Sequence, residues 1–513
     1  MIKLDYNYGF KWFIKNNTYV KGYIFDENNK LYKDEELVDY FIDVKNQDDF
    51  NKKLINANGI FSVIVVYKDL YFIAVDKIRT FPLFYYQSED EYVITDNTDY
   101  LKDKYDLKID EMSKEEFLSC GYVTEEQTLI KNIFQVQASE QIMIDLINKE
   151  LEKKFFFTYA TNKVFNKKLI DYEKDFAEIL DNLTIRLIKS LNNKTAVIPL
   201  SGGYDSRLVA VLLKKHNYTN VICFTYGNKS SFEVGISKSI AEELDFKWHF
   251  IEYNQDLISG YEKTKEFNEY YKFSFNNASC FLLQDYFAIQ YLKKQNLIPC
   301  DSIIITGHSG DLLAGSQMPW YIKYKSNTAK INKEIIKQTY IYKKPENLNQ
   351  LSSKINFNIE DGYSYSIVEN YFINRKIARF ISNAHRIYEY FGYKHRFPLW
   401  DDELAKFFKK LPYEYKREPY FYEESLLRGI FKEYKIDVIP PDKIGRNTLY
   451  AKVKRFIKQF TPDFIVNLRI KMMFNDINNV NYMTKPLLDD SKNNVKDITN
   501  IYAIISNWLI NRK

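Results

Sequence analysis

Between residues 172 and 306, short β-branched runs alternate with amphipathic stretches, an order that few chain topologies accommodate. Phe176, Ile179, Leu180, Leu183, Leu187 and Leu191 recur at helical spacing with charges between them, predicting a helix over 172–191. A buried strand, Ala196-Val197-Ile198-Pro199-Leu200, follows. The pattern then predicts a helix from Arg207 to Lys215, a strand at Val221 to Thr225, a helix from Phe232 to Leu244 and a strand at Trp248 to Ile251. A further strand, Ser302 to Thr306, closes the series, after which the chain reads as mostly helical. Strands that alternate with helices are joined by crossovers and lie parallel, so this region is expected to be an α/β unit on a parallel sheet.

The first of these strands passes into its helix through Ser201-Gly202-Gly203-Tyr204-Asp205-Ser206. The first amides of a helix have no partner within it and point into the preceding turn, where an anion can accept them. Gly202 and Gly203 let a ligand approach the backbone, and Ser201 and Ser206 add hydroxyl donors. Asp205 repels phosphate unless it holds a cation, which points to Mg²⁺. A bare Gly-Gly would be only a connecting turn; the full string after a buried strand is the signature of a nucleotide polyphosphate site. It differs from Gly-x-x-x-x-Gly-Lys-Ser/Thr, because no lysine follows.

The first part of the chain reads differently. Ile60 to Val66 and Leu70 to Val75 are apolar runs separated by Tyr67-Lys68-Asp69, a hairpin pattern, and Tyr85-Tyr86 with Tyr92-Val93-Ile94 suggests another. This strand-rich region ends near Gln141 to Leu146 and the polar turn Asn148-Lys149-Glu150, so domains over 1–160 and 161–513 are expected. A chain of 513 residues exceeds one ordinary core, which fits two domains. Seventy-three Lys and Arg against 68 Asp and Glu, without a long block of either sign, give no sign of a nucleic-acid partner. Four scattered cysteines form neither a disulfide framework nor a zinc knuckle, and the longest apolar run, 59–75, is broken by Lys68-Asp69. A cytoplasmic protein without membrane association is therefore expected.

The Ser201 loop resembles the pyrophosphate loop of the ATP pyrophosphatase superfamily, and three further segments resemble asparagine synthetases and the related β-lactam synthetases. Phe224-Thr225-Tyr226-Gly227 resembles the strand end that flanks adenine in that family. Thr306-Gly307-His308-Ser309-Gly310-Asp311-Leu312 is similar to Ser-Gly-Glu-Gly-x-Asp-Glu. Arg386 with Gly392-Tyr393-Lys394-His395-Arg396-Phe397-Pro398-Leu399-Trp400-Asp401 is similar to the arginine-led stretch ending Gly-x-Glu-x-Arg-x-Pro-Phe-Leu-Asp. In the first domain, Asn58 to Val63 and Asp76 to Tyr86 resemble Gly-x-Phe and Asp-x-x-Gly-x-x-Pro-Leu-Tyr-Tyr of the family's glutaminase domain. The resemblance implies a β-rich Ntn-hydrolase-like domain of the class II glutamine amidotransferase type. A parallel-sheet, HUP-type adenine nucleotide α-hydrolase-like domain with a helical carboxyl-terminal part follows it.

It also implies ATP and Mg²⁺ as ligands, with Asp205 and Asp311 holding the metal. Leu200, Ser201, Gly202, Gly203, Asp205, Ser206, Phe224, Tyr226, Gly227, Thr306 and Gly307 would line the nucleotide, and Lys394 and Arg396 would meet substrate. Lys443 would act on pyrophosphate, with Arg446 as the alternative. A small-molecule carboxylate and ammonia or an amine would be the partners, and a homodimer is compatible. The family's glutaminase nucleophile is a cysteine at position 2, replaced here by Ile2, so glutamine hydrolysis is expected to be absent and the domain to be a remnant or a docking surface. His308 stands for the family's catalytic-loop glutamate and Lys394 for another glutamate. A neutral His308 can take a proton from the attacking nitrogen, or can be a loop histidine satisfied by backbone contacts. Lys394 can meet an anionic group or lie solvated. The acceptor is then aspartate or a different carboxylate, such as a sugar uronate of a surface polysaccharide. A regulator that only binds ATP and a tRNA-modifying ATP pyrophosphatase are the rival readings.

Overall fold

The computed structural model describes the chain except residues 90, 320, 356, 442, 445–479, 492–499 and 513, and it describes the backbone only at 480, 481 and 491. Eleven strands occupy the first part: Ile2–Lys3 (β1), Phe13–Lys15 (β2), Thr18–Phe25 (β3), Leu31–Lys33 (β4), Asn58–Tyr67 (β5), Leu70–Val75 (β6), Phe84–Gln87 (β7), Tyr92–Thr95 (β8), Ile133–Gln135 (β9), Glu140–Asp145 (β10) and Glu150–Phe155 (β11). They form a sheet of order β11-β10-β6-β5-β3-β2, with β4 on β3, and a second of order β1-β8-β7-β9. Side chains alternate across a strand, and β5 uses both faces. Phe61, Val63 and Val65 pack on the helices Glu36–Phe41 and Gln47–Asn56, while Ile64 faces the second sheet's Leu83, Tyr85 and Ile94. Phe84 and Val93 turn the other face of that sheet toward Ile387, Tyr388 and Trp508. The layers therefore run helix, sheet, sheet, helix.

Five strands make the third sheet: Ala196–Pro199 (β12), Val221–Gly227 (β13), Lys247–Glu252 (β14), Ile303–Ile305 (β15) and Lys394–Arg396 (β16). All their pairings are parallel, in the order β14-β13-β12-β15-β16. Helices cover such a sheet on both faces, so its central strands are apolar throughout: Ala196, Val197, Ile198 and Ile303 to Ile305 are buried. The order reverses direction between β12 and β15, and open α/β sheets bind ligands in the crevice at that reversal, beyond the carboxyl ends of the strands. The chain is thus a mixed α/β protein with a β-rich first part, as the sequence pattern indicates. The carboxyl-terminal part is not wholly helical: β16 adds a strand whose Lys-His-Arg sequence carries no strand signal.

The two parts share apolar clusters and are also joined by polar contacts. Arg186 grips Asp401 through two bonds of 2.8 Å, and Asp401 also accepts from Asn58 Nδ2 at 2.9 Å. Lys77 Nζ reaches Asp402 at 2.7 Å, and Lys21 pairs with Glu389 where both are buried. Cys120, Cys223 and Cys280 are buried free thiols and Cys300 is exposed. Among the described residues no helix is long and apolar enough to cross a membrane.

Candidate active site

The helix Tyr204–Lys215 begins at Gly203 without a side-chain cap, and its N-terminal end faces the end of β12. The loop before it is braced from within. Ser201 N donates to Ser206 Oγ at 3.1 Å, and Gly203 N donates to Ser201 Oγ at 3.2 Å. Arg207 anchors it from beneath, donating to the Gly202 carbonyl at 2.9 Å and to the Ile436 and Val438 carbonyls at 2.7 Å. The glycines divide into two kinds. A Cβ on Gly202 would meet nothing closer than 3.5 Å, and one on Gly203 only Ser201 Oγ at 3.3 Å, so the protein's own packing does not require glycine there. A Cβ on Gly307 would fall on the backbone nitrogen of Ser206 and within 2.6 Å of the Asp205 carbonyl carbon. Gly307 is thus what lets the end of β15 press against the start of the helix.

This contact brings Asp205 and Asp311 together across 106 residues. Asp205 Oδ2 accepts from Asp311 N at 3.1 Å, and Asp205 Oδ1 accepts from Tyr422 Oη at 2.8 Å. Burial and the neighbouring Asp311 push the Asp205 carboxyl well above the usual carboxylate range. Tyr422 is raised in turn by burial and by Asp205. Lys443 Nζ lies 3.8 Å from the centre of the Tyr204 ring and pairs with Glu423 Oε1 at 2.7 Å; Arg446 lies outside the described residues. Among the described residues no three His, Cys, Asp or Glu side chains are grouped to hold a metal alone. Two adjacent carboxylates beside a helix N-terminus suit Mg²⁺, which is commonly held by one or two carboxylates and completed by substrate phosphates.

These groups line one cavity of about 530 Å³ at the switch point of the parallel sheet. Of the residues expected at the nucleotide, Leu200, Ser201, Gly203, Asp205, Ser206, Phe224, Tyr226, Thr306 and Gly307 line it, together with His308, Asp311 and Lys443. Gly202 and Gly227 do not line the cavity, and Gly227 ends β13 at φ +121°. Lys394 and Arg396 are not brought to it. Lys394 pairs with Asp34 of the first part, and Arg396 is buried, donating to Ser190 Oγ at 2.7 Å and to its carbonyl at 2.8 Å beneath the Tyr23 ring. Lys394 thus contacts the first part directly and Arg396 reaches it through the Tyr23 ring, and neither lines the cavity.

His308 is half-buried, and burial lowers its pKa from the ordinary imidazole value against the opposing pull of Asp285 and Asp311. It is not satisfied by backbone alone: its Nδ1 lies 3.3 Å from His385 Nε2. Ser309 beside it adopts φ +77°, the left-handed region where the resembling motif has glycine. Several lining groups carry no sequence signal of their own. Gln284 donates to Tyr502 Oη, and its Oε1 has no partner among the described residues. Asp285 accepts from Tyr388, and Phe380 stands edge-on to Tyr502 with ring centres 4.5 Å apart. Cys120, by contrast, does not line this cavity. It is buried with its thiol donating to the Glu116 and Tyr122 carbonyls, and burial raises its pKa well above the ordinary thiol value.

A family model described as asparagine synthase matches residues 195–453. A putative asparagine synthetase (glutamine-hydrolyzing) 2 of Methanocaldococcus jannaschii is 23% identical over 232 residues, which cover 43% of this chain and 40% of that protein. A probable asparagine synthetase (glutamine-hydrolyzing) of Acanthamoeba polyphaga mimivirus is 25% identical over 238 residues, 42% of each chain. A 7-cyano-7-deazaguanine synthase of Staphylococcus aureus is 33% identical over 63 residues, 12% of this chain and 28% of that protein. The matched segment thus spans about two fifths of the length of the two synthetases.

Proposed function

The chain belongs to the asparagine synthase family, whose model covers just over half of it, and from that premise we propose that it is an ATP-dependent amide-forming ligase. The observation that carries the reading is the convergence of Asp205, Asp311 and His308 on the cavity that opens at the Ser201 loop. The N-terminal end of the helix Tyr204–Lys215 would receive the phosphates of the substrate ATP, and Lys443 lines the same cavity. Asp205 and Asp311 would hold Mg²⁺, which would supply positive charge to offset that of the phosphates. Tyr422 fixes the orientation of the Asp205 carboxylate. A substrate carboxylate attacks the α-phosphorus and pyrophosphate leaves; ammonia or an amine then attacks the activated carbonyl and AMP leaves. Neutral His308 accepts the proton that the attacking nitrogen loses. Positioning and fixed charge supply most of the acceleration.

The family name points to aspartate as the acid, and a second acceptor is favoured by the charges in the cavity. Lys443 is the one cation among the described lining residues, while Glu233 and Asp285 add negative charge to Asp205 and Asp311. A second carboxylate on the acid would lack a counter-charge there, and an unpaired buried carboxylate costs several kcal/mol. A monocarboxylate such as a sugar uronate avoids that cost. The ligase reading is tested by carboxylate-dependent release of pyrophosphate. Asp205→Ala is expected to abolish it, and Ser206→Ala to reduce it by about 10- to 1000-fold, the scale of one oriented donor. Near-normal turnover of Asp205→Ala with Mg²⁺ would remove the proposed phosphate site. Lack of exchange with every carboxylate in the parent would favour an ATP-binding regulator.

A further inference from the structure

Three of the five histidines stand in a row from the cavity wall into the core. The ring centres of His308 and His385 are 5.1 Å apart, and those of His385 and His395 are 4.8 Å apart and nearly stacked. His385 is 1% exposed. Its neighbours come from four segments: Thr306 and His308 after β15, Ser382 one helical turn before it, Tyr388 one turn after it, and His395 and Phe397 at β16. None of these is a carboxylate.

The hydrogen bonds around His385 fix where its protons sit. Nδ1 lies 3.3 Å from the Ser382 carbonyl, which can only accept, so Nδ1 carries a hydrogen. Burial, with His395 and His308 alongside, lowers the pKa well below the ordinary imidazole value and keeps a second proton off the ring. His385 Nε2 is therefore a bare acceptor. It takes the Thr306 hydroxyl at 2.8 Å and faces His308 Nδ1 at 3.3 Å. The one lone pair of His385 Nε2 is shared between the Thr306 hydroxyl and His308. A bare His308 Nδ1 at this separation would be repelled, so the hydrogen between the rings is assigned to His308 Nδ1. A neutral imidazole carries one ring hydrogen, and the bond made by one nitrogen decides the state of the other.

We infer that His385 is a positioning residue, holding His308 as its Nδ1–H tautomer so that the Nε2 lone pair on the opposite ring edge is presented to the cavity. This deepens the proposed role of His308 and rests on that reading for its kinetic consequence alone. No hydrogen bond joins His308 Nε2 to a protein group among the described residues, and His308 lines the cavity. In the other tautomer the same edge would present N–H and could not take a proton from the attacking nitrogen.

The test is nitrogen NMR on the full chain with labelled histidine, the His308 signals being assigned by their loss in His308→Gln. In the parent, His308 Nδ1 should read as protonated and Nε2 as a bare ring nitrogen near neutral pH. His385→Phe keeps a ring but removes the acceptor. It should release the tautomer preference and slow aminolysis by about 10- to 100-fold, part of the ~10²–10⁴-fold that a positioned base supplies, with pyrophosphate exchange retained. His385→Gln, whose amide oxygen can again accept from His308 Nδ1, should restore both the tautomer and most of the rate. A parent His308 with the hydrogen on Nε2, or an unchanged tautomer in His385→Phe, overturns the inference. Absence of carboxylate-dependent exchange in the parent would instead strike the ligase reading and leave the tautomer result standing.

Discussion

Replacing Gly203 by alanine separates the fold from the ligand at a single position. Gly203 has φ −73° and ψ 171°, which alanine adopts without strain, and its new Cβ would meet only Ser201 Oγ at 3.3 Å. Alanine at a compatible glycine site gains about 0.4–1 kcal/mol by restricting the unfolded chain, and the tight contact with a small hydroxyl offsets part of that. Gly203→Ala should therefore unfold within about 1 kcal/mol of the parent. The methyl projects where phosphate oxygens would approach the helix amides, so the nucleotide should be displaced. A nucleotide at 100 times its Kd stabilises the folded state by about 2.7 kcal/mol, and this increment should vanish in the variant. Gly307→Ala is the control of opposite sign, because its Cβ would collide with the backbone of Asp205 and Ser206, which a flexible side chain cannot relieve. It should destabilise the ligand-free protein by about 1–3 kcal/mol or more. Thermal unfolding with and without Mg²⁺ and ATP reads all of these. A Gly203→Ala protein that keeps the full nucleotide shift would refute the assignment of this loop as the phosphate cradle.

Three further outcomes are expected. Ser309→Gly relieves a left-handed backbone that costs a non-glycine residue about 1–2 kcal/mol and should raise the unfolding temperature, provided the buried Ser309 hydroxyl, which has no partner, contributes nothing. A lower stability in that variant would show that the hydroxyl is needed. Amide formation should need a neutral His308. Because burial lowers its pKa, the rate should stay flat as pH falls toward the ordinary imidazole range and drop only below it, an acid limb that His308→Gln should lose. A limb lying above that range would contradict the assignment. The purified protein should release no glutamate from glutamine, since the Cys120 thiol is buried and held against forming thiolate; glutaminase activity lost in Cys120→Ser would reverse this.

What the sequence determines here is local. The strand at Ala196 to Pro199, the turn of Ser201 to Ser206 and the helix after it follow from contiguous apolar runs and glycines, because periodicity and backbone freedom act over a few residues. The hairpin of β5 and β6 is legible for the same reason. The motif resemblance extended that reach by naming Asp205, Asp311 and His308 as members of one site, and all three line the cavity. It did not reveal where Lys394 and Arg396 would point. Their segment becomes the edge strand β16 by pairing with β15, which sets Lys394 on Asp34 and Arg396 on Ser190 beside the Tyr23 ring, away from the cavity. Tyr422 and His385 are ordinary residues in helical sequence. They become site residues only because packing sets one hydroxyl on Asp205, 217 residues away, and one imidazole on His308, 77 residues away. The charge that Asp205 carries is likewise a tertiary property, since burial and the approach of Asp311 exist only after Gly307 lets β15 close on the helix.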